Sequence, residues 1–263
     1  MTPSPAPSPR SRWLPHAGAT VLGLVGLVFA PHPMLLSRLE LVQGYSVDAR
    51  LNNHILEHGY RALRPGPSPE TLWTPLSFFP VPNTAVYSET LLGAAPPYWV
   101  LRALGAEPDT AFQLWMLVVS ALDFALAYLL LHRSLGRGPA ASAAGAFLFA
   151  FASPRLAQVG IGHPQFLCQF WSVAAVMALV RAVREEDREE ARRVPLAIPA
   201  FCACATGQIY ACVYLGWLFL FTLGVASLWA LAFEGSRRPL LAVVRRRWGV
   251  LLASAALSAV ANP

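Results

Sequence analysis

QGYSVDARLNNHILEHGY (Gln43–Tyr60) opens the one long polar segment of an otherwise apolar chain. The segment continues through LWTPLSFFPVPN (Leu72–Asn83) and YSETLLG (Tyr87–Gly93), about fifty residues with no spanning run. Loops of this length inside a compact domain are uncommon and usually functional. Ala49–Arg64 predicts an amphipathic helix. Leu51, Ile55, Leu56, Tyr60 and Leu63 fall on one stripe, and Asn53, Glu57, Arg61 and Arg64 on the other. Such a helix lies flat on a membrane surface. Asp48 stands just ahead of it, where a carboxylate caps the helix and where the helix's positive end also attracts anions.

Working outward, the 263 residues are 56% apolar and 13% charged. Soluble domains carry about 25% charged residues, so this is an integral membrane protein. All 20 basic residues are arginine, grouped in short clusters between apolar runs. The net charge of +6 is therefore a matter of membrane topology and does not point to nucleic acid. Cys168, Cys202, Cys204 and Cys212 lie in apolar segments without zinc or CxxC spacing, so they read as buried free thiols.

Residues 1–15, rich in Pro and Ser, predict a disordered cytoplasmic tail, and 16–263 a transmembrane domain. The apolar runs are Ala17–Leu36, Ala111–Leu131, Ala140–Ala152, Gln165–Val180, Val194–Gly207, Ile209–Phe233 and a last one from Trp248. They predict an all-α polytopic bundle of about seven spans. The last run stops short of a full span at Pro263, as in a chain truncated at its C-terminus. Val28-Phe29-Ala30 would suit signal-peptide cleavage, but further spans follow, and a retained first helix is simpler.

Fourteen arginines, at 10, 12, 133, 137, 181, 184, 188, 192, 193, 237, 238, 245, 246 and 247, share one side under this topology. The positive-inside rule makes that side cytoplasmic and sets the 43–110 loop and the turn Ser153–Pro164 outside. The expected location is the plasma (inner) membrane with a cytoplasmic N-terminus. Ser88–Leu104 then has both ends outside and predicts a re-entrant or interfacial helix broken at Pro96-Pro97. REEDREEARR (Arg184–Arg193) reads as a solvated helical turn.

Besides Asp48, several residues carry chemistry. Glu89 follows Ser88, an expected N-cap, and either sits in a first helical turn or meets Asp48 across a site. Glu57 and His58 ride the amphipathic helix. Arg155 and His163 lie in SPRLAQVGIGHPQ on the outer side, Arg155 as a membrane anchor or phosphate clamp. Gln208 and Tyr210 adjoin the next outer turn. Asp123, mid-span in VVSALDFALAY, costs about 2.5–3.5 kcal/mol to insert if charged, so it is expected to face the bundle. His54 and His58 share a helix face, but one i,i+4 pair without a third ligand does not assign a metal. No nucleotide-binding glycine loop, zinc-protease or hydrolase-elbow motif occurs.

GYSVDARLNNHILEHGYRAL followed by LWTPLSFFPVPNTAVYSETLLG resembles the first outer loop of bacterial GT-C-type membrane glycosyltransferases. The shared features are an acid ahead of an interfacial helix, a Trp/Pro/Phe-rich passage and an acid beside a serine. The resemblance covers residues 44–93 in motif and about 15–235 in architecture, the N-terminal part of such an enzyme. It implies a cell-envelope enzyme that moves a hexose or pentose, with inversion, from a polyprenyl-phosphate-linked sugar to a glycan, lipid or protein acceptor. Asp48 would be the base or a metal ligand, with Glu89 beside it and Arg155, His163, Glu57, His58, Gln208 and Tyr210 touching substrate. Positions 44–47 lack the second acid of a DxD-like pair, which leaves dependence on Mg2+ or Mn2+ open. The rival functions are a transporter or flippase of lipid-linked cargo, coupled through Asp123, and a scaffold in which Asp48 only caps a helix.

Overall fold

A computed structural model describes residues 9–42, 46–64, 71–186 and 196–261, and within these the chain is helical with no strand. The order is α1 (Pro9–Phe29), α2 (His32–Leu36), α3 (Ser46–Ala62), α4 (Ala95–Ala103), α5 (Pro108–Leu129), α6 (Pro139–Phe151), α7 (Ser153–Gly160), α8 (Phe170–Glu186), α9 (Ala197–Ala211), α10 (Val213–Ala232) and α11 (Glu234–Ala261). A π turn, Leu130–Ser134, prolongs α5, and a 3₁₀ turn, Pro164–Leu167, precedes α8.

Four stretches are long and apolar enough to cross a bilayer: Pro108–Ser134, Pro139–Gly160, Pro164–Arg184 and Val213–Ala232. His16–Phe29 and Ala197–Ala211 are shorter apolar helices. The protein is thus a helical membrane protein. α10 shows how it meets lipid, because Gly216 is its one buried residue and Trp217, Phe221, Leu228 and Trp229 all face outward.

Lipid tails are as apolar as leucine, so helices associate in a bilayer through close packing and polar links. α6 is rich in alanine for this reason, with Ala143, Ala146 and Ala150 buried against α1 and α5. At Gly26 on α1 a Cβ would come within 2.3 Å of the Phe151 ring, so only glycine lets α1 approach α6 this closely. The larger core lies where the polar segment meets the bundle. There Leu56 of α3 and Tyr98 of α4 are buried with Phe112 and Trp115 of α5, whose rings stack at 5.6 Å.

The structure corrects several boundaries. α1 begins at Pro9, within the stretch expected to be a tail, and residues 1–8 lie outside the described ones. α3 begins at Ser46, so Asp48 sits in its first turn and does not precede it. α3 is also no surface helix with one wet side. Leu51 and Leu63 are exposed, while Asn52 and His58 are buried, because α4, α5 and the 3₁₀ turn pack around it. Ser88 and Glu89 are not helical, and Pro96-Pro97 start α4 where they were expected to break it. Proline suits a first turn, since its missing N–H has no intrahelical partner there. Ser153–Pro164 is mostly helix α7, not a turn. The break before α10 falls at the extended Cys212. The solvated turn expected at Arg184–Arg193 falls largely outside the described residues.

Candidate functional site

α3 presents three faces to three partners. Its first face carries Asp48 and Asn52. Asn52 is buried and donates to Gln165 Oε1 at 3.0 Å and to the Asp48 carbonyl at 2.8 Å. This fixes the start of α3 on the 3₁₀ turn, and the same turn holds the His163 Nδ1 3.5 Å from an Asp48 carboxylate oxygen. Asp48 and His163 remain 43% and 35% exposed, so this pair meets at the open surface of the protein.

The second face carries Glu57, which is already engaged. It accepts from Arg102 at 2.7 Å and from the Tyr98 hydroxyl at 2.9 Å. Burial first, then the Glu57 hydrogen bond, push the Tyr98 phenol well above its usual value, so it stays a donor. Asn53 on the same face donates to Asp109 at 2.7 Å, at the start of α5. Glu57 therefore ties α3 to α4 and is not placed to take substrate.

The third face carries His54 and His58, which line a cavity of about 40 Å³ together with Ser88 and Glu89. His58 Nε2 is 3.2 Å from the Leu72 carbonyl. Asp48 does not line this cavity, so Asp48 and Glu89 do not converge on it. Glu89 instead accepts the Val213 N–H at 2.8 Å and a Cys212 thiol at 3.5 Å. It neutralises the positive end of α10, whose own N-cap residue, Cys212, makes no side-chain cap. Burial raises the Glu89 carboxyl above its ordinary value, and the hydrogen bonds from Val213, Cys212 and Tyr214 pull the other way.

The segment after Glu89 is sewn to the bundle by its backbone. The Gly93 N–H donates to the Tyr210 carbonyl at 3.1 Å, and the Gly93 carbonyl accepts the Trp171 indole at 2.8 Å. Trp115 donates to the Ala94 carbonyl at 2.6 Å. A Cβ at Gly93 would lie 2.2 Å from the Gly207 carbonyl oxygen, so this seam requires glycine. Leu91, fully buried, holds a left-handed φ of +53°, which costs about 1–3 kcal/mol in a non-glycine residue. Beside the seam an apolar groove of about 690 Å³ runs along α9 past Cys202, Thr206 and Tyr210 to Ser254 of α11, with Trp73 and Leu92 also lining it.

Arg155 does not reach a substrate-accessible rim. It is 7% exposed and donates to the fully buried Asp123 carboxylate and to the Leu167 carbonyl. Its other arm donates to the Ala150 carbonyl at 3.0 Å. Asp123 thus faces the bundle, and the one unpaired nitrogen of its partner, Arg155 Nε, is buried away from any phosphate. The pair pins α7 and the 3₁₀ turn to α5 and α6, and so sets the height at which His163 meets Asp48. Gln208 is likewise internal. It donates to the Cys168 carbonyl at 2.7 Å and accepts the Ser172 hydroxyl at 2.9 Å, joining α9 to α8. Tyr210 does line the groove.

Among the described residues no group of three His, Cys, Asp or Glu side chains is placed to hold a metal, and His163 is the side chain that meets the Asp48 carboxylate. Gln165, Trp171 and Gly93 organise the site without having been singled out in the sequence. The one available signal was amide and indole groups in apolar surroundings, which have to find partners. No protein-family model, no curated protein and no solved structure matches the chain.

Proposed function

We propose that the chain is a membrane-embedded enzyme whose site lies at the end of the bundle opposite the arginine clusters. Its chemistry in this proposal is glycosyl transfer of the GT-C type, from a polyprenyl-phosphate-linked sugar to an acceptor hydroxyl at the extracytoplasmic face. The observation that carries the proposal is the water-accessible Asp48–His163 contact at 3.5 Å, held by buried links on both sides. The apolar groove supports it, because Trp73 and Leu92 of the same polar segment line it and its apolar walls suit an isoprenoid chain.

Asp48 takes the proton from the acceptor hydroxyl as that oxygen attacks the anomeric carbon. The bond from that carbon to phosphate oxygen breaks, its electron pair leaves with the polyprenyl phosphate, and the anomeric centre inverts. His163 holds the carboxylate in line with the acceptor hydroxyl. A positioned base supplies about 10²- to 10⁴-fold. Cytoplasmic placement of the N-terminus belongs to the same proposal and rests on the arginine distribution. The test is sugar release from a synthetic polyprenyl-phosphate sugar by the full-length protein. Asp48→Asn should lose at least about 10²-fold in turnover with unchanged donor binding. Wild-type turnover in that variant would end the proposal.

A further inference from the structure

A second site lies at the far end of the bundle. Arg133 leaves the π turn at the end of α5, and Arg181 and Arg184 leave the last turns of α8. Together with Ser134 they rim a cavity of about 490 Å³. The spans Pro108–Ser134 and Pro164–Arg184 both end here, so the rim sits at headgroup depth. The wall below the rim is apolar, with Met177, Ala178 and Ala200 facing the space. No acidic side chain is among the described residues that line it.

The π turn is what opens this space. Its wider winding returns the Leu135 N–H to Leu130, five residues back, and carries Arg133 and Ser134 to the cavity. Such turns recur at functional sites because they cost regular hydrogen bonding for a changed side-chain direction. Guanidinium groups over an apolar slot match one chemistry, an amphiphile with an anionic phosphate head and a hydrocarbon chain. A free phosphate would use the rim and leave the slot without a purpose.

We propose that this cavity binds an anionic phospholipid, its phosphate on Arg133 and Arg184 and one acyl chain against Met177, Ala178 and Ala200. The site is independent of glycosyl transfer, since it lies at the other end of α5 and α8. Native mass spectrometry of the full chain in non-ionic detergent, with added phosphatidylglycerol or phosphatidylcholine, tests it. Wild type should retain phosphatidylglycerol at least about tenfold better. Arg133→Gln and Arg184→Gln should each weaken retention about fivefold, the equivalent of roughly 1 kcal/mol per basic residue near a charged membrane surface. Ala178→Trp, which fills the slot and keeps every charge, should also lose the lipid. It keeps the test decisive where an Arg→Gln variant fails to fold. Equal retention of the two lipids by wild type would overturn the proposal. So would wild-type retention of phosphatidylglycerol by Ala178→Trp, or its displacement by millimolar inorganic phosphate.

Discussion

Arg155→Met strands the Asp123 carboxylate in a place with no solvent exposure. Removing one partner of a buried ion pair costs about 3–5 kcal/mol, because the survivor stays buried without its counter-charge. The Ala150 and Leu167 carbonyls also lose their donor, at about 1 kcal/mol net each. Arg155→Met should therefore destabilise by about 5–7 kcal/mol. The double variant Asp123→Leu/Arg155→Met removes both charges and should lie within about 2 kcal/mol of wild type, since a well-packed apolar replacement of an ion pair is often close to neutral. The recovery between single and double variants is the coupling that a thermodynamic cycle reads. Reversible unfolding in mixed micelles, followed by tryptophan fluorescence, measures all of these values. A single variant within about 1 kcal/mol of wild type would refute the brace. So would a double variant as unstable as the sum of two damaging singles.

Gly93→Ala sets a methyl against the Gly207 carbonyl and should cost at least about 1–3 kcal/mol as overpacking, read as a lower melting temperature in the same micelles. Glu89 has its folded-state pKa raised, so the folded protein binds the proton more tightly than the unfolded chain does. Stability from this group is present at low pH and is lost as pH rises from the ordinary carboxylate value through the raised one. Unfolding free energies measured between acid and neutral pH should show that fall in wild type and a flatter profile in Glu89→Gln. Arg102→Gln removes the 2.7 Å partner of Glu57 and should loosen α4 from α3, with faster amide exchange in Ala95–Ala103.

Much of the architecture was legible because membrane composition is coarse. Apolar runs and arginine clusters locate helices without any knowledge of their partners, and the runs after Ala111 correspond to α5, α6, α8, α9 and α10. One misplaced boundary came from proline. Pro96-Pro97 reads equally as a break or as a first turn, and only packing of α4 on α3 and α5 selects the second. The site was less legible because its decisive contacts join distant residues. Glu89 reaches Val213, 124 positions away, and Arg155 reaches Asp123 across 32. An arginine at a helix boundary looks the same in sequence whether it waits for a phosphate or answers a buried carboxylate. Asp48 and His163 were individually visible, but their meeting depends on Asn52 and Gln165, which carry no motif.

The account turns on Asp48 facing water at the end of the bundle away from the arginines. In a chain with Cys168, Cys202, Cys204 and Cys212 replaced by alanine, Asp48→Cys and Arg137→Cys can each be treated in intact cells with a membrane-impermeant maleimide. The account predicts labelling at position 48 from outside, and at position 137 only after the cells are opened. Labelling at 137 with protection at 48 would contradict it.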